Sequence, residues 1–184
     1  MNSNEELALY DLEQFLFQVV STHYQDGLPI SAFEFFSIVI WKANRAKSKV
    51  ASRLQKKSGQ NLETAVAQLV ADLRRANTPE DRLRVLFVDW GFWLPMASAI
   101  LTVFYPEEFT IYYVRVCEYL PAFERLGNKS KFETVWPEYC QFVEAVKMAV
   151  PEVHSLRDQD RVLWARSFRR QLGADVTSGF YREQ

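Results

Sequence analysis

Apolar residues recur at spacings of three and four along most of the chain, which is the period of an α-helix that buries one face. This pattern predicts helices over Leu7 to Val20, Leu62 to Ala76 and Pro79 to Val88. It also predicts a short apolar helix over Leu94 to Phe104, after a break at Gly91. The chain is therefore expected to form a succession of short helices.

The Ser-x-x-Glu sequences at Ser31 and Ser130 have the pattern of a capping box, in which side chains satisfy free backbone N–H groups at a helix start. The first predicts a helix that continues through a basic stretch and ends at Gly59. The second predicts a helix that is interrupted at Pro137, with a new helix starting near residue 138 and ending by Val150.

Two further segments complete the prediction. Ser155 and Asp158 predict the start of a last helix, which ends at Gly173. The segment Thr110 to Leu120 is ambiguous, because β-branched and aromatic residues such as Ile111 favour a strand. No second convincing strand is present to pair with it, so a helix is predicted there as well.

The expected architecture is one all-α domain of about seven to nine short helices, spanning residues 1–176, with a loose C-terminal tail at 177–184. The low contents of glycine, with 6 residues, and proline, with 7, argue against a turn-rich all-β fold.

Composition excludes several kinds of site. Cys117 and Cys140 form neither a C-x-x-C motif nor a zinc spacing, and neither His23 nor His154 stands in a ligand pattern, so we expect no metal and no cofactor. Two free thiols are typical of a reducing cytosol, with one structural disulfide as the alternative. An acidic N-terminus and the absence of a long apolar run predict a cytoplasmic protein with no membrane partner.

The stretch from Lys42 to Lys57 carries a charge of +7 and no acid, although the whole chain has a net charge of −1. Such segregation is typical of phosphate binding, and the spacing of several of these cations predicts a stripe on one helix face. The alternative is a solvated face balanced by acids elsewhere in the fold. The candidate DNA-binding cations are Lys42, Arg45, Lys47, Lys49, Arg53, Lys56 and Lys57.

The last helix is also rich in arginine, from Arg157 to Arg170, but Asp158 and Asp160 are interleaved with these cations. Intramolecular salt bridges are therefore the preferred interpretation of that segment.

Gly91 to Leu101 reads GFWLPMASAIL, and Tyr105 to Leu120 reads YPEEFTIYYVRVCEYL. A tight turn before a helix of small residues lets backbone N–H groups approach a DNA phosphate. The arrangement resembles the helix-hairpin-helix superfamily of base-excision DNA glycosylases (the endonuclease III-like fold), and most closely its small uncharacterised bacterial members. The residues that fit are Gly91, Leu94, Pro95, Ala97, Ser98, Ala99, Ile100, Leu101, Pro106, Phe109, Ile111, Arg115 and Leu120.

Two flanking segments also look like those members, so that the resemblance touches most of residues 33–168. They are Trp41-Lys42 with Arg45, and Leu156 to Asp158 with Asp160-Arg161 and Leu163-Trp164.

The resemblance implies a helix-hairpin-helix core inside the all-α domain and a role in genome maintenance, such as DNA repair, or in phage defence. It implies contacts to DNA at Gly91, Trp93 and Arg115, with duplex DNA preferred. It also makes Tyr112 and Tyr113 candidates for a base pocket, where aromatic rings stack on bases.

Three departures from the family pattern affect the chemistry. Trp93 stands where the second hairpin glycine is usual, and a bulky side chain hinders close backbone approach. Tyr113 stands at the position of the catalytic aspartate, and a neutral tyrosine cannot stabilise positive charge on the sugar. Pro95 replaces the nucleophilic lysine of bifunctional members and has no amine. The expectation is thus a DNA-binding protein without catalytic residues.

Two alternatives remain open. An active glycosylase requires a relocated acid, for which the candidates near the hairpin are Asp89, Glu107, Glu108 and Glu118. A protein-interaction subunit would use exposed Trp90, Phe92 and Trp93 to enter a partner's groove.

Overall fold

The computed structural model describes residues 3–180, and this range contains helices and turns but no strand, which confirms the all-α prediction. The α-helices, in chain order, are α1 (Ser3–Tyr10), α2 (Leu12–Phe15), α3 (Ser21–Gln25), α4 (Ala32–Ala43), α5 (Lys47–Ser58), α6 (Leu62–Arg75), α7 (Pro79–Arg84), α8 (Leu94–Phe104), α9 (Val114–Cys117), α10 (Phe132–Ala149) and α11 (Leu156–Thr177).

Shorter helical segments join several of these helices. A π-helical turn, Leu16–Val20, connects α2 to α3, and a second, Val85–Asp89, extends α7. A 3₁₀ turn, Asn44–Ala46, separates α4 from α5, and two more, Pro121–Phe123 and Leu126–Asn128, lie between α9 and α10.

Helices α4, α6, α7 and α11 start where sequence signals place them, because a polar side chain caps each one. The predicted capping box of α4 is present, with Ser31 and Glu34 exchanging hydrogen bonds with each other's backbone. Asn61, Thr78 and Ser155 accept backbone N–H groups at the starts of α6, α7 and α11 in the same manner.

The apolar helix α8 lies in the core. Every residue from Met96 to Phe104 is buried, as is Leu94, and α8 packs against α3, α4 and α7. Its small residues Ala97 and Ala99 are completely buried. Burying this helix on all sides stabilises the fold, since each large apolar side chain contributes about 1.5–3 kcal/mol when fully buried.

The predicted helix over Thr110 to Leu120 is wrong, because only Val114–Cys117 is helical. The preceding residues are extended without a partner strand, since side chains satisfy their backbone groups. Ser98 Oγ accepts the Tyr112 N–H at 3.0 Å. The Tyr139 hydroxyl accepts the Thr110 N–H at 3.1 Å and donates to the Thr110 carbonyl at 2.6 Å.

Three helix boundaries also differ from the prediction. The helix that begins at Ser31 does not continue to Gly59, because the backbone leaves helical geometry at Ala43, and α5 starts anew. Helix α10 starts without a side-chain cap and passes through Pro137 without a restart. Helix α11 passes Gly173, since nothing around it forces a left-handed turn there, and ends at Thr177.

The predicted C-terminal tail lies partly outside the described residues, which end at 180. Cys117 and Cys140 are both free, as predicted. Across residues 3–180 no helix combines the length and the apolar character that a bilayer crossing requires.

Candidate functional site

A basic surface covers α5 and the turn before it. We define it by Arg45, Lys47, Lys49, Arg53, Lys56 and Lys57. All are exposed except Arg53, which is half-buried, and none forms an ion pair with the side chains that the structure describes. Lys47 instead donates to the Asn44 side chain at 3.0 Å. Six cations near one another that form no ion pair within the described residues attract a polyanion.

An open groove of about 860 Å³ separates this basic surface from the turn before α8. Lys49, Arg53, Lys56 and Lys57 line one wall, and residues 88–91 line the other. Gly91 has a positive φ of 67°, and a Cβ built there would lie 3.8 Å from the Arg53 guanidinium. The structure therefore places the hairpin turn directly beside the cations.

A second, more apolar groove of about 240 Å³ continues from the first and shares Lys49 and Arg53 with it. Trp93 lies along this groove, and its side chain is 51% exposed. It is the N-cap residue of α8, whose start has no side-chain cap. The turn thus presents an indole ring beside the free end of a helix.

The other two aromatic residues of this turn do not face solvent, which corrects the prediction of a three-residue partner surface. Trp90 and Phe92 are both 2% exposed. The Trp90 indole N–H donates to Asp72 at 3.0 Å, and Phe92 packs in the core beside Phe35. Trp93 alone of the three is available to a partner.

Lys42 does not belong to the basic surface, because it lies on α4 before the break at Ala43. Its Nζ donates to the Tyr112 carbonyl at 3.1 Å and sits 3.4 Å from the centre of the Tyr113 ring. This cation–π contact draws the amine inward, toward the C-terminal part of the chain.

A cavity of about 540 Å³ opens where Lys42 and Tyr113 meet α11. Trp41 and Trp164 contribute aromatic walls, and Asp160 contributes a carboxyl group. Residues from three separate segments of the chain therefore converge here: Trp41 and Lys42, Tyr113, and Asp160 with Trp164.

Asp160 is the most unusual charged residue of the cavity, at 1% exposure. Arg157 Nη1 donates to its Oδ2 at 2.5 Å, whereas Oδ1 has no hydrogen-bond partner within residues 3–180. Burial raises the pKa of Asp160 to about 7, against the opposing charges of Arg157 and Lys42. Near neutral pH this carboxyl group is poised between its protonated and ionised forms.

The pKa of the Lys42 amine is shifted in the opposite direction. Burial lowers the pKa of Lys42 to about 7, although the Asp160 carboxylate acts to raise it. Burial also raises the pKa of Tyr113 above its usual value, so its phenol stays neutral. Because Lys42 and Asp160 influence each other, their protons are gained and lost as a coupled pair.

Ion pairs and aromatic contacts hold Arg157 in this cavity. Its Nη2 donates to Glu13 at 2.7 Å, and its guanidinium lies 5.1 Å from the centre of the Phe17 ring and 5.2 Å from that of Trp41. Arg161 also contacts Glu13, at 3.3 Å. The salt bridges predicted for the last helix are confirmed by these pairs.

Two of the candidate DNA or base contacts lie elsewhere. Tyr112 is buried in the core, where its hydroxyl donates to the Phe123 and Glu124 carbonyls, so it does not line the cavity. Arg115 is half-buried, with its guanidinium 5.6 Å from the centre of the Trp164 ring, and it does not line the groove of the basic surface.

None of the four acids considered as substitutes lines the cavity. Glu118 accepts from the Ser167 hydroxyl and from Arg170, both at 2.7 Å, and the first of these bonds lowers its pKa. Glu108 pairs with Arg82, while Asp89 lies in the groove of the basic surface and Glu107 is exposed.

Asp160 lines the cavity instead. Sequence reasoning missed it because the arginines beside it indicated an ordinary surface pair. A weak signal was present. Asp160 follows Leu156 by four residues and precedes Leu163 by three, which places it on the buried face of the helix.

Within the described residues, no group of three or more His, Cys, Asp and Glu side chains is arranged to hold a metal ion. Comparison of the chain with protein-family models, with curated proteins and with solved structures found no match.

Proposed function

We propose that this protein binds duplex DNA through the basic surface of α5 and the hairpin turn before α8, on a helix-hairpin-helix, glycosylase-like fold. The observation that carries the proposal is the groove between them. Four cations without acidic partners among the described side chains line one wall, and the Gly91 turn lines the other.

The charge distribution supports a nucleic acid as the ligand. The chain has a net charge of −1, so attraction to a polyanion must come from this local cluster. Neutralising several phosphates releases their counterions, which makes such binding strongly dependent on salt. Trp93, half-exposed beside the same cations, supplies a ring that can stack on a base or enter a groove.

The family resemblance supports the same proposal and its limits. Tyr113 and Pro95 occupy the positions of the catalytic aspartate and lysine, so the usual chemistry of the superfamily is missing from its usual positions. DNA binding without base removal is the function that these residues favour, in genome maintenance or phage defence.

A salt-titrated gel shift with duplex and single-stranded DNA tests this proposal. Duplex affinity should fall steeply as salt rises, and Lys47→Glu/Lys49→Glu should weaken it by at least about tenfold. The matched control, Lys131→Glu/Lys147→Glu, makes the same change in net charge at the two ends of α10 and should bind as wild type does. Binding that is absent at low salt, or equally weakened by both variants, would refute the proposal.

A second candidate function is base removal with Asp160 as the relocated acid. The observation in its favour is that a buried carboxyl group with an unpartnered oxygen lies in the same cavity as Tyr113. When ionised, such a group stabilises the positive charge that develops on a sugar as its base departs.

Formation of abasic sites on duplexes with damaged or modified bases tests this second function. Asp160→Asn should abolish the reaction but leave the gel shift unchanged, whereas Glu118→Gln, a surface carboxylate, should retain it. If no base is released from a panel of damaged duplexes, the protein has only the binding function.

A further inference from the structure

Helix α11 carries a row of exposed apolar side chains at spacings of four residues. Trp164, Phe168, Leu172 and Val176 form this row, and each is between 38% and 60% exposed. Leu163 and Ser167, which pack on the rest of the chain, lie on the opposite side of the helix from Leu172, the centre of the row. At the start of the row, Trp164 also lines the cavity, and the Arg115 guanidinium lies near the Trp164 and Phe168 rings. We call Trp164, Phe168, Leu172 and Val176 the α11 row.

The second half of α11 has little to stabilise it within its own chain. No residue from Phe168 to Thr177 is buried. An isolated helical segment of this length is marginal in water, and helices in proteins owe most of their stability to packing of an apolar face. An apolar row in such a segment therefore calls for a covering surface.

We propose that the α11 row packs against the same row of a second copy of this chain, in a parallel, two-fold symmetric crossing centred on Leu172. Each apolar residue of the row then meets its own copy, Leu172 at the centre and Phe168 and Val176 on either side.

Charge complementarity selects the parallel arrangement. At about 100° per residue, Arg169 and Asp175 lie about 60° to either side of Leu172, on opposite flanks of the row. A two-fold axis along the row brings Arg169 of each copy beside Asp175 of the other copy, so that two equivalent ion pairs form. An antiparallel pair would instead place Arg169 against its own copy and Asp175 against its own copy, which is repulsive.

The two charged residues are available for these pairs. Arg169 is exposed and Asp175 is half-buried, and neither forms an ion pair with another described side chain. Their neighbours Arg161, Arg166 and Arg170 are by contrast paired with acids of their own chain.

Sedimentation equilibrium of the full chain, from about 1 to about 100 µM, tests the proposal. Wild type should dimerise, and Leu172→Glu should raise the dissociation constant by at least about tenfold, because it places two carboxylates at the centre. Met148→Glu, at an exposed apolar residue of α10, is the control and should dimerise as wild type does. A wild-type protein that is monomeric throughout this range overturns the proposal.

Two further variants test the direction of the crossing. Arg169→Asp and Asp175→Arg should each weaken the dimer, and the double variant should restore it. In Val176→Cys, mild oxidation should link two copies through residue 176, with oxidised wild type as the control for the native thiols. Failure of the double variant to restore the dimer, or of the cysteine to cross-link, contradicts the parallel arrangement.

This dimer is independent of the proposed DNA binding. Leu172→Glu lies outside the basic surface, so its monomer should still bind duplex DNA in a salt-dependent manner. Loss of dimerisation and loss of DNA binding are therefore separately observable.

Discussion

Helices α5 and α11 are both rich in cations, yet they use them differently. The α5 cations that line the open groove form no ion pair with a described side chain, although Asp89 lies on the facing wall. Those of α11 are mostly paired, Arg157 with Glu13 and Asp160, and Arg166 with Glu152. Local density of positive charge thus does not by itself identify a ligand surface. The acids that the fold brings to each cation decide whether that cation is available.

The largest effect should come from unpairing a buried charge on α11. Arg157→Met removes the partner of Asp160, and leaving a buried carboxylate uncompensated costs about 3–5 kcal/mol. Lys49→Met on α5 removes an exposed cation and should change stability by less than about 0.5 kcal/mol. Urea unfolding at pH 8, followed by circular dichroism, measures both. Equal destabilisation would remove the distinction between the two helices.

The next largest effect concerns ligand binding. Lys56→Glu/Lys57→Glu should lower duplex affinity by about 100-fold and make the salt dependence shallower by about two phosphate contacts. Arg166→Glu/Arg170→Glu makes the same change in charge on α11 and should change affinity by less than about threefold. A gel shift over a range of salt concentrations compares them, and the opposite ranking would place the DNA on α11.

A pH series tests the buried carboxyl group of α11. The folded pKa of Asp160 is raised, so its contribution to stability is present below about pH 4 and is lost as the pH rises through about 7. Asp160→Asn removes this dependence, so the unfolding free energy of the variant relative to wild type should rise by about 2–4 kcal/mol between pH 4 and 8.

Two controls define the sign of that pH effect. The folded pKa of Lys42 is lowered to about 7, so its contribution has the opposite slope and makes stability rise above that pH. Glu118→Gln removes a surface carboxylate whose pKa is lowered, so it should change stability only as the pH rises through the acid range. A difference between Asp160→Asn and wild type that is constant with pH would contradict the raised pKa.

The smallest expected changes in stability come from substituting two glycines. Gly91, in the turn beside α5, has a positive φ, and Gly91→Ala should cost about 1 kcal/mol. Gly173 lies inside α11 with open space around the position of a Cβ, and Gly173→Ala should stabilise by about 0.5–1 kcal/mol. Thermal unfolding of the two variants should therefore shift in opposite directions.

Local signals in the sequence predicted much of the fold. The apolar helix over Leu94 to Phe104 has the bounds that its pattern indicates, and the caps at Ser31, Asn61 and Thr78 are formed by neighbouring residues. These features depend on groups a few residues apart, so the sequence contains all the information that they need.

Features that depend on distant partners were not predictable in this way. The segment before Val114 is extended because Ser98 and Tyr139, from two other helices, satisfy its backbone. Asp160 is buried because Lys42 and Tyr113 approach it from far along the chain. The groove beside α5 was predicted only as two separate elements, and their adjacency is a property of the folded chain.

The extended backbone before α9 has a consequence for Tyr113. The backbone N–H of its neighbour Tyr112 donates at 3.0 Å to the hydroxyl oxygen of Ser98, a completely buried residue of α8. Ser98→Ala would leave the buried Tyr112 N–H without an acceptor and remove a hydrogen bond that positions the segment containing Tyr113. A single buried hydroxyl oxygen therefore helps to position the residue beside Tyr113, which lines the cavity.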